Sequence, residues 1–128
     1  MILDSSALVA IVLQEPEAKS LLDRMCEAPH VAIGAATLLE TGIVLSARLN
    51  DDARGLLARL LQESGITVLH VTEAHFGVAM GAWLRYGKGR HPASLNFGDC
   101  LSYAMAVVAG EPLLAVGDDF PQTDCVLG

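Results

Sequence analysis

The sequence predicts an α/β fold, a parallel central sheet of four to five strands flanked by helices, on three observations. Short strand-like runs alternate with helix-like segments along the whole chain, the order that gives a parallel sheet covered by helices. Apolar residues make up 52% of 128 residues, above the usual share, so the composition supports one sizeable core. Acidic residues stand directly behind two of the strand-like runs. Right-handed crossovers put the carboxyl ends of such strands on one rim, where ligands bind. The length suits one domain over 1–128 and is too short for two.

Ile2-Leu3 reads as a short first strand that runs straight into Asp4. Residues 6–13 are apolar nearly all round and read as a buried helix. Glu15-Pro16-Glu17 supplies an acidic first turn for a second helix over 16–27, with Leu21, Leu22 and Met25 on its apolar face. After Pro29, residues 30–33 form a second strand. Residues 34–49 predict another buried helix with one acid, Glu40, in its middle. Residues 51–64 predict an amphipathic helix with Leu56, Leu57, Leu60 and Leu61 inward, ended by Gly65. The run 66–69 is a β-branched strand. Thr72 caps a helix reaching Tyr86. A basic loop, 87–92, leads to Asn96, which opens the last long helix, ending at Gly110. Residues 113–116 form a fourth strand and 117–119 the turn behind it, with 123–126 a marginal edge strand.

Charge narrows the function. The net charge is −7 and the isoelectric point about 4.8, so the chain repels nucleic acid in bulk and needs a local basic patch, a metal or a partner to handle it. Cys26, Cys100 and Cys125 are scattered, without a CxxC; they read as reduced thiols of a cytoplasmic protein. No signal-peptide pattern and no membrane-spanning run is present. GxGxxG, the P-loop and GxSxG are absent, which argues against the common nucleotide-binding and serine-hydrolase routes. His30, His70, His75 and His91 lack zinc spacing and read as surface or hydrogen-bonded residues.

The acids carry the chemistry. Each has an ordinary reading: Asp4 as a helix cap, Asp99 as the third residue of a capping box with Asn96, Asp118 and Asp119 as turn residues. Glu40 is harder to explain, because its helical neighbours Ala36, Thr37, Ile43 and Val44 are largely apolar and a lone carboxylate there is costly to bury. Together these acids fall at places that meet on the rim. Carboxylates crowded in one cleft repel one another unless a divalent cation is present. All-oxygen ligation suits Mg²⁺ or Mn²⁺, whose common task is phosphoryl chemistry. Arg85, Lys88, Arg90 and His91 form the one concentrated positive region, either a solvated loop or a contact for a phosphate backbone. Tyr86 and Phe97 flank it as candidate base-stacking rings, with core packing favoured for Phe97.

Met1-Ile2-Leu3-Asp4-Ser5-Ser6-Ala7, Leu38-Leu39-Glu40-Thr41, Leu95-Asn96-Phe97-Gly98-Asp99-Cys100 and Gly117-Asp118-Asp119-Phe120 resemble the motifs of PIN-domain ribonucleases, and among them the VapC toxins of bacterial VapBC toxin–antitoxin modules. The resemblance runs through the whole chain in order. It implies a PIN fold and a Mg²⁺- or Mn²⁺-dependent endoribonuclease that cuts RNA to arrest growth. It further implies a homodimer held in check by a VapB antitoxin, in a heterotetramer or larger assembly. Asp4 and Asp99 would then be direct metal ligands. Glu40 would bind metal directly or through water, and Ser6 would orient the surroundings of Asp4. The chain departs from the family pattern at the fourth acid: Gly117 stands in the usual place, leaving Asp119, or alternatively Asp118, for that role. Rival readings are a PIN nuclease outside a toxin pair, an idle PIN-like protein-binding domain, and a small-molecule phosphohydrolase on a Rossmann-like sheet.

Overall fold

A computed structural model describes all residues, 1–128. Four parallel strands form one sheet: β1 (Ile2–Leu3), β2 (Ala32–Gly34), β3 (Thr67–Leu69) and β4 (Leu113–Leu114), in the order β3-β2-β1-β4. Six α-helices connect them: α1 (Ser5–Val12), α2 (Ala18–Glu27), α3 (Ala35–Leu49), α4 (Arg54–Ser64), α5 (Glu73–Tyr86) and α6 (Phe97–Ala109). The tail continues the sheet past β4, with Leu113 N–H donating to Val126 O at 2.9 Å and Gly128 N–H to Leu113 O at 2.8 Å. The expected four to five strands are therefore four plus this marginal edge.

Strands this short are held by burial rather than by ladder length. Successive side chains point to opposite faces. Ile2 and Leu113 pack with Tyr86, Leu95, Tyr103 and Met105 on the side of α5 and α6. Leu3 and Leu114 pack with Leu8, Leu21, Met25 and Ile33 on the side of α1 and α2. Each such side chain contributes roughly 1.5–3 kcal/mol. A third, small cluster joins Leu45 of α3 to Ala53, the N-cap of α4, and Leu57 of α4.

Several boundaries moved for local reasons. Helix α2 begins at Ala18 rather than at Pro16, because residues 15–18 close a separate turn, Ala18 N–H to Glu15 O at 2.9 Å. Helix α4 begins at Arg54, since Asp52 is occupied in accepting from the Arg54 backbone and guanidinium. Gly65, at φ +64°, ends it as expected. β4 stops at Leu114, and Val116 N–H turns instead to Ser6 Oγ at 3.0 Å.

The larger correction concerns α3 and α4. Only Thr37, Thr41 and Leu45 of α3 are buried, whereas Leu39 and Ile43 are 65% and 61% exposed. In α4 only Leu57 is buried, and Leu56 faces solvent. Apolar composition alone predicts burial, but apolar faces also serve partners. No helix is long and apolar enough to cross a membrane.

Strand order places the site. From β1 the chain moves outward through β2 to β3, then returns to β4 on the other side of β1. That reversal opens a crevice at the carboxyl ends of β1 and β4. Asp4 follows β1 and residues 117–119 follow β4.

Candidate active site

Asp4 sits at the mouth of that crevice, 4% exposed. It is the N-cap of α1: Ser6 N–H donates to its Oδ2 at 3.1 Å and Ser6 Oγ donates to the same oxygen at 2.6 Å. Its Oδ1 accepts from Ser102 Oγ of α6 at 2.5 Å. Ser102 Oγ lies 3.5 Å from Thr37 Oγ1 of α3. Ser6 Oγ in turn receives Val116 N–H behind β4. One buried carboxylate thus joins α1, α6 and the end of β4. Ser6 bonds to Asp4 through both its backbone and its hydroxyl; Ser102 and Thr37, which join the network, are absent from the residues the sequence singles out. The sequence signal for Ser102 is its place three residues after Asp99, on the same side of a helix.

Asp99 enters from the first turn of α6. Its cap reading is realised in full, with Asn96 N–H donating to Asp99 Oδ2 at 3.0 Å and Asp99 N–H to Asn96 Oδ1 at 2.9 Å. The cap does not remove it from the cluster. Burial pushes its carboxyl up to about 6, the bond from the Asn96 backbone works the other way, and the charges of Asp4, Asp119 and Glu40 raise it further.

Glu40 reaches the same place from α3. Its carboxylate lies over Gly98, and a Cβ on Gly98 would stand 2.9 Å from Glu40 Cδ and Oε1. Only glycine leaves room for this approach, a constraint that leaves no local mark in the sequence. Gly98→Ala is expected to fold normally, because the obstructed group is the end of a flexible side chain, and to lower the RNA cleavage that the resemblance implies about 10–100-fold by pushing Glu40 aside. A cleavage assay beside a thermal melt checks this. Full activity with an unchanged melt would remove Glu40's placement from the mechanism.

Asp118 and Asp119 are both exposed, and Asp119 caps the 3₁₀ turn over Phe120–Gln122. Asp119 raises the Asp99 carboxyl; Asp118 is not among the charges that do so. The ion pairs are Met1–Glu111, Lys19–Asp23, Arg54–Asp52 and Arg85–Asp124, so no side-chain cation neutralises Asp4, Glu40, Asp99 or Asp119. The four acids share a field, yet no three acid, histidine or cysteine side chains stand close enough together to hold an ion.

The basic loop is largely occupied with holding itself. Arg85 pairs with Asp124 at 3.4 Å and lies 4.8 Å from the centre of the Tyr86 ring. Arg90 Nε donates to Leu84 O at 3.1 Å, and its guanidinium covers Trp83 at 5.0 Å. His91 Nδ1 accepts from Ala93 N–H at 3.0 Å, with its ring edge-on to Tyr86. Lys88 is exposed and makes no side-chain hydrogen bond. The aromatic roles are reversed from expectation: Tyr86 is buried and Phe97 is 82% exposed.

Among solved structures, the fold is similar to VapC20 of Mycobacterium tuberculosis, described as a sarcin–ricin-loop-cleaving toxin. The TM-score is 0.78 and the identity 22%, covering 98% of this chain and 95% of that one. It is also similar to a chain of a toxin–antitoxin complex from Klebsiella pneumoniae, with a TM-score of 0.72 and 18% identity over 99% and 95% of the two chains. In sequence, the chain is 48% identical over 125 residues to ribonuclease VapC36 of M. tuberculosis, covering 97% of this chain and 90% of that protein. The PIN domain pattern matches residues 1–125, and with that relative it shows that the chain belongs to the PIN-domain family, among the VapC ribonucleases.

Proposed function

We propose that this chain is the toxin of a type II toxin–antitoxin module, a divalent-metal-dependent endoribonuclease that cuts RNA to inhibit growth. The observation that carries the chemistry is the set of uncompensated acids at the β1–β4 crevice, where burial first, and then the charges of Asp4, Asp119 and Glu40, raise the Asp99 carboxyl to about 6. The activity is supported by the 48% identical VapC ribonuclease.

The donor set fits Mg²⁺ or Mn²⁺ in charge and chemistry: carboxylate oxygens, a raised acid and no paired side-chain cation. The side chains stand apart in the present arrangement, so an ion would have to draw these carboxylates together. Asp4 and Asp99 would be direct ligands, and Glu40 would ligate directly or hold the attacking water. Asp119, rather than Asp118, takes the place of the fourth acid. When bound, the ion supplies a water of lowered pKa and neutralises charge on the phosphate. Ser6 holds Asp4 in position. Lys88 contacts the RNA backbone, while Arg85, Arg90 and His91 shape the loop that presents it and the two arginines add positive charge.

The antitoxin reading also has a physical basis. Two apolar grooves of about 420 Å³ each meet at Phe97 and Leu101. One runs between α5 and α6 past Phe76 and Trp83; the other runs between α3 and α6 past Leu39 and ends on Glu40. A VapB segment laid along them, with one basic side chain on the acids, would block the site. A homodimer would cover further exposed apolar surface. Three unpaired cysteines suit the cytoplasm.

The test is cleavage of structured RNA by the purified chain. Cleavage is expected with Mg²⁺ or Mn²⁺ and none with excess chelator. Undiminished cutting in chelator would sink the metal-dependent mechanism. Growth arrest unrelieved by co-expression of the small neighbouring gene product would sink the toxin–antitoxin assignment.

A further inference from the structure

We propose that Ser102 is a positioning residue that makes Oδ1 of Asp4, rather than Oδ2, the oxygen presented to the divalent cation. This rests on the metal-dependent reading above. A carboxylate oxygen accepts about two hydrogen bonds. Oδ2 already has two, from Ser6 N–H and Ser6 Oγ. Oδ1 has one, from Ser102 Oγ at 2.5 Å, so its remaining lone pair is the free one.

Ser102 sets the direction of that lone pair. It is 0% exposed, so water does not compete for its hydroxyl. The other polar neighbour of its hydroxyl is Thr37 Oγ1 at 3.5 Å. Thr37 is itself 2% exposed, and its carbonyl accepts Thr41 Oγ1 at 2.8 Å. An alanine would fill most of the same space without a polar atom to satisfy. The hydroxyl is therefore placed for Asp4, and it sits on the helix that carries Asp99. One rigid element thereby sets both acids relative to each other. Partners that orient a ligand in this way typically change metal affinity by 10–100-fold when removed.

The experiment is calorimetric Mn²⁺ titration of the full chain, without RNA, beside thermal melts in chelator. Ser102→Ala is expected to weaken Mn²⁺ binding by about 10–100-fold, and Ser102→Thr, which keeps the hydroxyl, to restore most of it. Should the alanine variant fail to fold, Ser102→Cys, close in size with a weak donor, is expected to show the same loss. Alanine or cysteine variants that bind Mn²⁺ as tightly as the unsubstituted chain would overturn the role of Ser102 alone. So would a threonine variant that melts normally and binds no better than alanine. An unsubstituted chain that binds no Mn²⁺ would overturn the metal-dependent reading, and this role with it.

Discussion

Asp99→Asn is expected to lower RNA cleavage by about 10³-fold or more and, in chelator, to raise the melting temperature at pH 8. Both effects come from one charge. Asparagine keeps an oxygen for the Asn96 N–H and so preserves the capping box. It removes the carboxylate that burial and the charges of Asp4, Asp119 and Glu40 oppose. The sign follows from the direction of the shift. The folded protein holds the proton up to about pH 6, against a usual value of 3.8. Ionised Asp99 therefore costs stability fully above about pH 6, and the cost fades as pH falls toward 4. A shift of this size corresponds to about 3 kcal/mol for a fully buried group. Asp99 is partly exposed, so solvent screening reduces it to about 1 kcal/mol, or roughly 4 °C in melting temperature for a domain of this size. The advantage of the asparagine variant should shrink between pH 8 and pH 4. A variant that melts below the unsubstituted chain at pH 8 would show that Asp99 is a stabilising cap before it is a strained carboxylate. A variant that still cuts RNA would remove it from the chemistry.

The sheet, the order of the helices and the main acids were legible because each leaves a local mark. Alternation of short β-like runs with helical periods gives the class. Asp4 follows a strand and Asp99 stands three residues after a capping asparagine, so chain position alone sends both to the rim. Contacts between distant segments were not legible. Ser102 is one of several small residues on α6, and only the approach of β1 makes its hydroxyl matter. Gly98 gave no sign that Glu40, far back in the chain, lies across it. The sequence favours core packing for Phe97 and burial for the helix that carries Leu39, yet both side chains face solvent beside the acids. An apolar run fixes which residues shun water; it does not say whether the cover comes from this chain or from another. For the basic loop, composition showed three cationic side chains and a histidine, but Arg85, Arg90 and His91 are largely engaged with their neighbours.

Asp4→Ala is expected to abolish cleavage and, unlike Asp99→Asn, to destabilise the fold. The two acids face the same field with different support. The two Asp4 oxygens accept three hydrogen bonds, from Ser6 N–H, Ser6 Oγ and Ser102 Oγ. Removing them costs the α1 cap, about 0.5–2 kcal/mol, and leaves the 0%-exposed Ser102 hydroxyl with only its long Thr37 contact, about 1–3 kcal/mol. Relief of repulsion with Asp99 offsets part of this, since Asp4 heads the charges that raise Asp99. The balance is a loss of about 1–3 kcal/mol, read as a melting temperature lower by roughly 4–12 °C. The same substitution should let the Asp99 carboxyl fall back toward its usual value, which carbon-detected NMR of the metal-free protein measures directly. An alanine variant that melts at or above the unsubstituted chain would mean that repulsion outweighs the hydroxyl network. Asp4 would then be a strained carboxylate like Asp99 rather than the point at which α1, α6 and the end of β4 are fastened together.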